Sequence, residues 1–365
     1  MSINPKIKGI QAQVKGSVLV IQSKTPLRII SSAIFNGGLK YATAVLNIQV
    51  PEGLGSDKND VHWNPEGFLN EQVQMLDLEK DKTIALMTAA KMQNLAICRE
   101  KCGETFLTVF ATAGKTVAVT AGEPAASKNG YRIGTINIIL LVDGNLTDGC
   151  MVEIIKTITE AKTVALRELD LRSQFSGDLA TGTLTDSVLV GCTNRGELIQ
   201  FAGTFTLLGE LIGKCVRQAV KSALNKQEKL ISGRSLKERL VERGLSPQII
   251  MSLKPELKNK NVKPIQEQLE LLLMDKNIVS LVLASLRLDE DYSMGLIPEG
   301  TNRKIDEATF EEIAFASLRR QLNDYTFPDA KSKMATEPMF PGPFTKCLLL
   351  SILEKAYSAA ALPFR

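Results

Sequence analysis

Two textures divide the chain. Up to about residue 225, apolar positions fall in short runs of β-branched residues broken by Gly, Thr and Pro. Beyond it they recur at helical spacing. In the first stretch, Val14–Gln22 and Leu27–Phe35 read as strands joined by a turn at Lys24-Thr25-Pro26, with Asn36-Gly37-Gly38 as the next turn. Tyr41–Val50 reads as a strand stopped by Pro51-Glu52-Gly53. The polar stretch Pro51–Pro65 reads as a long surface loop carrying His62 and Trp63. Asn64-Pro65-Glu66 has the form of a helix start, running to about Leu78. Ile84–Ala90, Phe106–Thr112 and Thr116–Thr120 are further extended segments. Gly134–Val142 ends in a continuous apolar run, as a strand covered on both faces does.

A helix is predicted from Cys150 to Leu169, with Asp148 as its N-cap and Val152, Ile155, Ile158, Val164 and Ala165 on the buried face. Ser187–Cys192 and Glu197–Phe201 read as a hairpin around Thr193-Asn194-Arg195-Gly196. The helix Leu207–Leu224 follows, its stripe made by Leu207/Leu208, Leu211/Ile212, Cys215/Val216 and Ala219/Val220. After a linker-like stretch at 225–232 come helical segments: Leu236–Arg243, Pro247–Leu253, Pro264–Met274, Ile278–Leu286, Asp306–Leu322 and Lys346–Ala360. The expected fold class is α+β: a mixed sheet with packed helices over residues 1–228, then a small, mostly α-helical domain over 229–365.

Composition narrows the chemistry. The 365 residues carry 44 Lys+Arg against 40 Asp+Glu, a net charge of +4, and aromatics are 5%. Neither value supports a nucleic-acid surface. No run approaches the roughly 18 apolar residues of a membrane span. The single histidine, His62, excludes a histidine-rich zinc site; no residue is assigned as a metal ligand, and whether the reaction needs a metal stays open. Six scattered cysteines form neither a disulfide framework nor a zinc ribbon. They read as reduced thiols of a cytoplasmic protein, an expectation that the N-terminus, without an apolar signal core, shares.

Four segments combine the residue types that reactions need. Asn36-Gly37-Gly38 offers backbone N–H groups and an amide, the means to hold an oxyanion, although a plain hairpin turn explains them too. Gly134-Thr135-Ile136-Asn137 offers a hydroxyl nucleophile with Asn137 on the same strand face as Thr135. In Thr159-Glu160-Ala161-Lys162-Thr163, Glu160 has the chemistry of a general base or of a solvated helix charge. Ala180–Ser187 packs four hydroxyls and Asp186 into one glycine-containing loop, a density suited to a ligand rich in amides.

In order along residues 10–225, Ser-Ser-Ala-x-Phe-Asn-Gly-Gly (31–38), Leu86–Ala90, Thr112-Ala113-Gly114, Gly-Thr-Ile-Asn-Ile (134–138), Thr-Glu-Ala-Lys-Thr (159–163) and Ala-Thr-Gly-Thr-x-Thr-Asp-Ser (180–187) closely resemble the adenosylcobinamide amidohydrolase family of corrinoid salvage. The resemblance implies hydrolysis of the amide joining aminopropanol to a corrin propionate arm, yielding adenosylcobyric acid. It implies no cofactor, since cobalt arrives within the corrinoid substrate. It assigns Thr135 as nucleophile or water-orienting hydroxyl, Asn36 with Gly37 and Gly38 as the oxyanion site, and Glu160 or Asp186 as base. Ser32, Gly37, Gly38, Thr88, Asn137, Lys162, Thr181 and Thr183 become substrate contacts. The Gly134-Thr135 junction is also similar to the cleavage junction of self-processing amidases. One segment departs from the family: Val117 and Thr120 stand where Asn and Arg are expected, and Glu123 replaces Asp.

The C-terminal part weakly resembles a phosphatidylglycerophosphatase-A-like domain that includes an α-ribazole phosphate phosphatase. Phe344-Thr345-Lys346-Cys347 stands where that family carries Phe-x-Asp-Asp. Loss of two hard-oxygen ligands implies a degenerate domain without phosphatase activity. Two alternatives stay open: a catalytically silent corrinoid-binding protein, and a bifunctional amidohydrolase and phosphatase. The partner expected is a small-molecule corrinoid, with no nucleic acid and no membrane; formation of a homo-oligomer is also left open.

Overall fold

The computed structural model describes residues 1–51, 64–115, 117–124, 135–230, 234–257, 261–296 and 342–361. His62, Trp63, Gly134 and the segment Asp306–Leu322 lie outside the described residues. The chain divides into two compact units, Met1–Gly233 and Arg234–Arg365.

The first unit is built on a nine-stranded mixed sheet. Its strands are β1 (Ser2–Ile3), β2 (Ile10–Lys15), β3 (Val18–Ser31), β4 (Gly38–Gln49), β5 (Thr83–Thr88), β6 (Ala96–Cys102), β7 (Thr105–Ala113), β9 (Ile136–Val142) and β12 (Ser187–Cys192). The spatial order is β1-β2-β3-β12-β9-β7-β6, with β4 on β3 and β5 on β4. Two short ribbons complete it: β8 (Ala118–Val119) against β11 (Gly182–Thr183), and β10 (Asn145–Leu146) against β13 (Leu198–Ile199). α1 (Pro65–Met75) starts on the Asn64 cap with Pro at its first turn. α2 (Asp148–Glu168) and α3 (Leu207–Glu228) pack on each other and on one face of the sheet.

Every residue of β9 is buried. Ile136, Ile138, Leu140 and Val142 join the α2/α3 core, while Ile139 and Leu141 join the core on the opposite face. A strand covered on both faces has no polar side, hence its apolar run. β12 pairs parallel to β9 and antiparallel to β3. The hairpin expected from Ser187–Cys192 and Glu197–Phe201 therefore does not form. Buried on both faces, β12 takes a central position in the sheet, and Leu198–Ile199 pairs with β10 instead.

The expected turn at Lys24-Thr25-Pro26 is also replaced. β3 runs through it as one strand, and its register on β4 shifts between Gln22 and Leu27. Proline brings no N–H to the ladder, so the pairing is interrupted and the strand bends without ending. The turn lies at Gly16, φ +57°, between β2 and β3. The N-cap of α2 is Thr147, not Asp148; its side chain accepts from Cys150 N. Val152 and Val164 are exposed, and the buried face runs through Cys150, Met151, Ile154, Ile158, Ala161 and Ala165. Because α2 packs on both sheet and α3, its covered arc admits small and polar residues and turns away from those valines.

The second unit is helical among its described residues: Leu236–Val241, Pro247–Ser252, Val262–Leu272, Lys276–Ser293 and Pro343–Ala361 share one apolar core. The last helix begins on a buried carboxylate. Asp289 accepts from Phe344 N (3.1 Å) and Thr345 N (2.8 Å), and burial pushes its carboxyl above the usual range despite these bonds. Lys346, which replaces a carboxylate of the weakly resembled family, is exposed.

Candidate active site

The polar residues of the first unit gather where β9 and β12 begin. Parallel register sets Ser187 beside Asn137, and β7 brings Thr112 to the other side of Asn137. One residue before β9 lies Thr135, buried, with its Oγ1 2.5 Å from Thr185 Oγ1. The two hydroxyls come from separate loops and meet because their strands are neighbours.

Asp186, next to Thr185, is a saturated acceptor. Its Oδ1 takes the Ile136 N–H at 3.1 Å and the Thr183 hydroxyl; its Oδ2 takes Thr183 N at 3.1 Å and Lys162 Nζ at 2.5 Å. Lys162 reaches it from the buried face of α2, and the two side chains are only 10% and 12% exposed. Gly182 closes over the pair: a Cβ there would lie 2.5 Å from Asp186 Oδ2 and 2.9 Å from Lys162 Nζ. Asp186 thus holds the start of β9, the 182–183 ribbon and α2 together.

Beside Thr135 and Thr185 runs a chain of buried side-chain hydrogen bonds. The Asn137 amide donates to Asn47 Oδ1 (2.8 Å) and to Met87 O (2.9 Å). Asn47 donates to Thr112 Oγ1 (2.9 Å), whose hydroxyl points on to Thr88 Oγ1 at 3.4 Å. Asn137 is fully buried, yet its Oδ1 has no hydrogen-bond partner among the described residues. An unpaired buried carbonyl is costly, and such an atom in a native fold calls for an explanation such as a ligand donor.

Other expected residues have structural work. Asn36 sits at φ +56°, and its amide donates to Lys80 O and Thr83 O, both at 2.8 Å. With both hydrogens committed, it anchors the β3–β4 turn and is not free to hold an oxyanion. Gly37 is required there, since a Cβ would meet Ala33 O at 2.2 Å, and Gly38 has φ +89°. Ser32 Oγ accepts from Val188 N, tying this turn to β12. Glu160 is exposed on α2, on the side turned away from buried Lys162, and the structure does not bring it to the Thr135 cluster. Thr181 Oγ1 accepts from Ala121 N, and its carbonyl accepts from Thr163.

The departing segment 115–123 is tied to the same loop. Thr120 donates to Leu179 O, and Glu123 accepts from Thr120 N and from the Ser173 and Ser176 hydroxyls. Burial pushes the Glu123 carboxyl up, but these bonds outweigh it and hold it below the usual range. Asn47 was not anticipated as part of the site, and its signal was a single amide inside the apolar strand Ala44-Val45-Leu46-Asn47-Ile48. Thr112 and Thr185 join it by register, which sequence spacing does not display. The potential metal-ligating group of three or more among the described residues, Cys98, Glu100 and Cys215, joins β6 to α3 and contains none of these side chains.

The profile of the adenosylcobinamide amidohydrolase family matches residues 4–232. An uncharacterised protein of Methanocaldococcus jannaschii is 35% identical over 243 residues, 62% of this chain and 91% of that one. The adenosylcobinamide amidohydrolase of Methanosarcina mazei is 29% identical over 224 residues, 59% of this chain and 98% of the relative. That of Halobacterium salinarum is 25% identical over 209 residues, 53% and 79% respectively. No helix among the described residues is long and apolar enough to cross a membrane.

Proposed function

The chain belongs to the adenosylcobinamide amidohydrolase family, and from that premise we propose that its first unit hydrolyses the amide between aminopropanol and the propionate arm of adenosylcobinamide, releasing adenosylcobyric acid. The observation that carries the assignment to this site is the buried Asn137 Oδ1, without a partner among the described residues, on the strand that Thr135 precedes. A secondary amide brings the N–H that this oxygen lacks, and a corrin rim brings further amides for Thr181 and Thr183.

In this reading the Thr135 hydroxyl, oriented by Thr185, attacks the carbonyl carbon or directs the water that does. Water adds its hydroxyl to the acyl carbon, the C–N bond breaks, and the departing nitrogen takes a proton. Asn137 Oδ1 receives the amide N–H and fixes the bond's orientation. Lys162 supplies positive charge for the tetrahedral oxyanion. Asp186, with every acceptor direction used, is a positioning residue that keeps Lys162 and the Ile136 N–H in place.

A second reading, corrinoid binding without turnover, is favoured by one observation: of the two carboxylates expected to serve as base, Asp186 is saturated and Glu160 faces solvent. Incubation of the full chain with adenosylcobinamide, followed by mass spectrometry with and without chelator, separates the two. Adenosylcobyric acid that disappears in Thr135→Ala supports the hydrolase. Tight binding with unchanged substrate supports the silent binder. Neither binding nor product refutes both.

A further inference from the structure

We propose that Cys98 and Cys215 form a covalent modification site: a disulfide that staples β6 to α3. Cys98 lies on β6, the last strand of the sheet in the order given above, and Cys215 on the sheet-facing stripe of α3. Both are buried within the same apolar core, and the Cys215 thiol donates to Cys98 Sγ at 2.7 Å. Two more polar groups share this spot. Gln218, one helical turn beyond Cys215, has its Oε1 3.5 Å from Cys98 Sγ, and the Glu100 carboxylate lies within 4.8 Å of both sulfurs. That hydrogen bond holds the Cys98 thiol below its ordinary value against burial and Glu100, while the same bond and burial push Cys215 up. In that contact Cys215 holds the proton and Cys98 accepts it, so Cys98 is the sulfur placed to attack first and Cys215 the one placed to resolve.

The oxidant is a small-molecule disulfide. Cys98 thiolate attacks it, displacing one thiolate and leaving a mixed disulfide. Cys215 loses its proton and attacks the Cys98 sulfur, releasing the second thiol. Two protons and two electrons leave the protein, and the oxidant becomes two thiols. The link joins residues 117 apart in sequence, so it constrains a long loop of the unfolded chain.

The test uses the full chain, incubated with glutathione disulfide, then denatured and alkylated with iodoacetamide without reductant. The expected result is four alkylated cysteines of the six, a Cys98–Cys215 cross-linked peptide after digestion, and six alkylated after reduction. Reduction should also lower the melting temperature of the oxidised protein by about 10 °C; Cys98→Ser should show no reductant-dependent shift. Alkylation at both positions in the oxidised sample overturns the proposal. So does zinc recovered stoichiometrically with the protein and lost in Cys98→Ser, which would make the group a cation site instead.

Discussion

Removing Lys162 and removing Asp186 should have unequal consequences. Both side chains are about nine-tenths buried, at 10% and 12% exposure, so truncating either leaves a charge where water cannot reach it. Broken buried pairs cost about 3–5 kcal/mol. Lys162→Met sits below that range, about 2–3 kcal/mol, because Asp186 keeps the Ile136 and Thr183 N–H groups and the Thr183 hydroxyl as donors. Asp186→Ala should reach or exceed the top of it, since the Lys162 ammonium loses its acceptor and the Ile136 and Thr183 N–H groups lose theirs. The double variant has no charge left to strand, so it should be milder than the sum of the singles by about 2 kcal/mol. Urea denaturation followed by far-UV circular dichroism gives the energies, and hydrogen exchange on peptides covering 182–192 locates them. A Lys162→Met variant within about 0.5 kcal/mol of the parent, or a strictly additive double, would refute the reasoning.

Three further outcomes follow from the same geometry. Thr135→Ala should lower kcat/KM for adenosylcobinamide at least about 100-fold while Thr185→Ala lowers it less; equal activity of Thr135→Ala and the parent in a coupled mass-spectrometric assay would remove Thr135 from the chemistry. Gly182→Ala should displace the Lys162–Asp186 pair and destabilise the first unit by about 2 kcal/mol or more, read as a lowered urea midpoint. In the second unit, the Asp289 carboxyl is raised by burial, so its ionisation is disfavoured in the folded state. Stability should therefore be fuller below the unfolded value of about pH 4 and decline as pH rises through the higher folded value. Asp289→Asn should flatten that slope in hydrogen-exchange protection of the helix Pro343–Ala361, and an unchanged slope would contradict it.

The parts of this fold that sequence displayed are those whose causes are local. The strand Gly134–Val142 showed itself because both its faces are buried, and the helix Leu207–Leu224 because its apolar pairs repeat every turn. What stayed hidden depends on partners far along the chain. Ser187–Cys192 looked like half a hairpin, since nothing within it says that β3 takes one of its edges and β9 the other. The face of α2 was assigned by hydrophobicity, which put Val152 and Val164 inside and overlooked Thr157 and Lys162, polar residues that the packing covers. At the site, Thr135 and Asn137 were visible as a hydroxyl and an amide starting a buried strand. Asn47 was not, and Thr185 showed only as one of four hydroxyls in its loop, because each meets its partner by cross-strand register. Residue type advertises a chemical capacity, and geometry shows where it points: the Asn36 amide hydrogens go to Lys80 O and Thr83 O, while Glu160 faces solvent.

The irregularity at Ser23–Pro26 divides β3 into two arms that serve different neighbours. The first arm holds β2 and the Ala44–Ile48 end of β4; the second holds the Gly38–Ala42 end of β4 and β12. Asn47 lies opposite the first arm, whereas Asn137 belongs to the sheet built out from the second. The contact between these amides thus joins the parts of the sheet on either side of the irregularity. Adding or deleting a single residue at this corner would shift Asn47 against Asn137 while leaving every residue of that hydrogen-bonded chain in the sequence untouched.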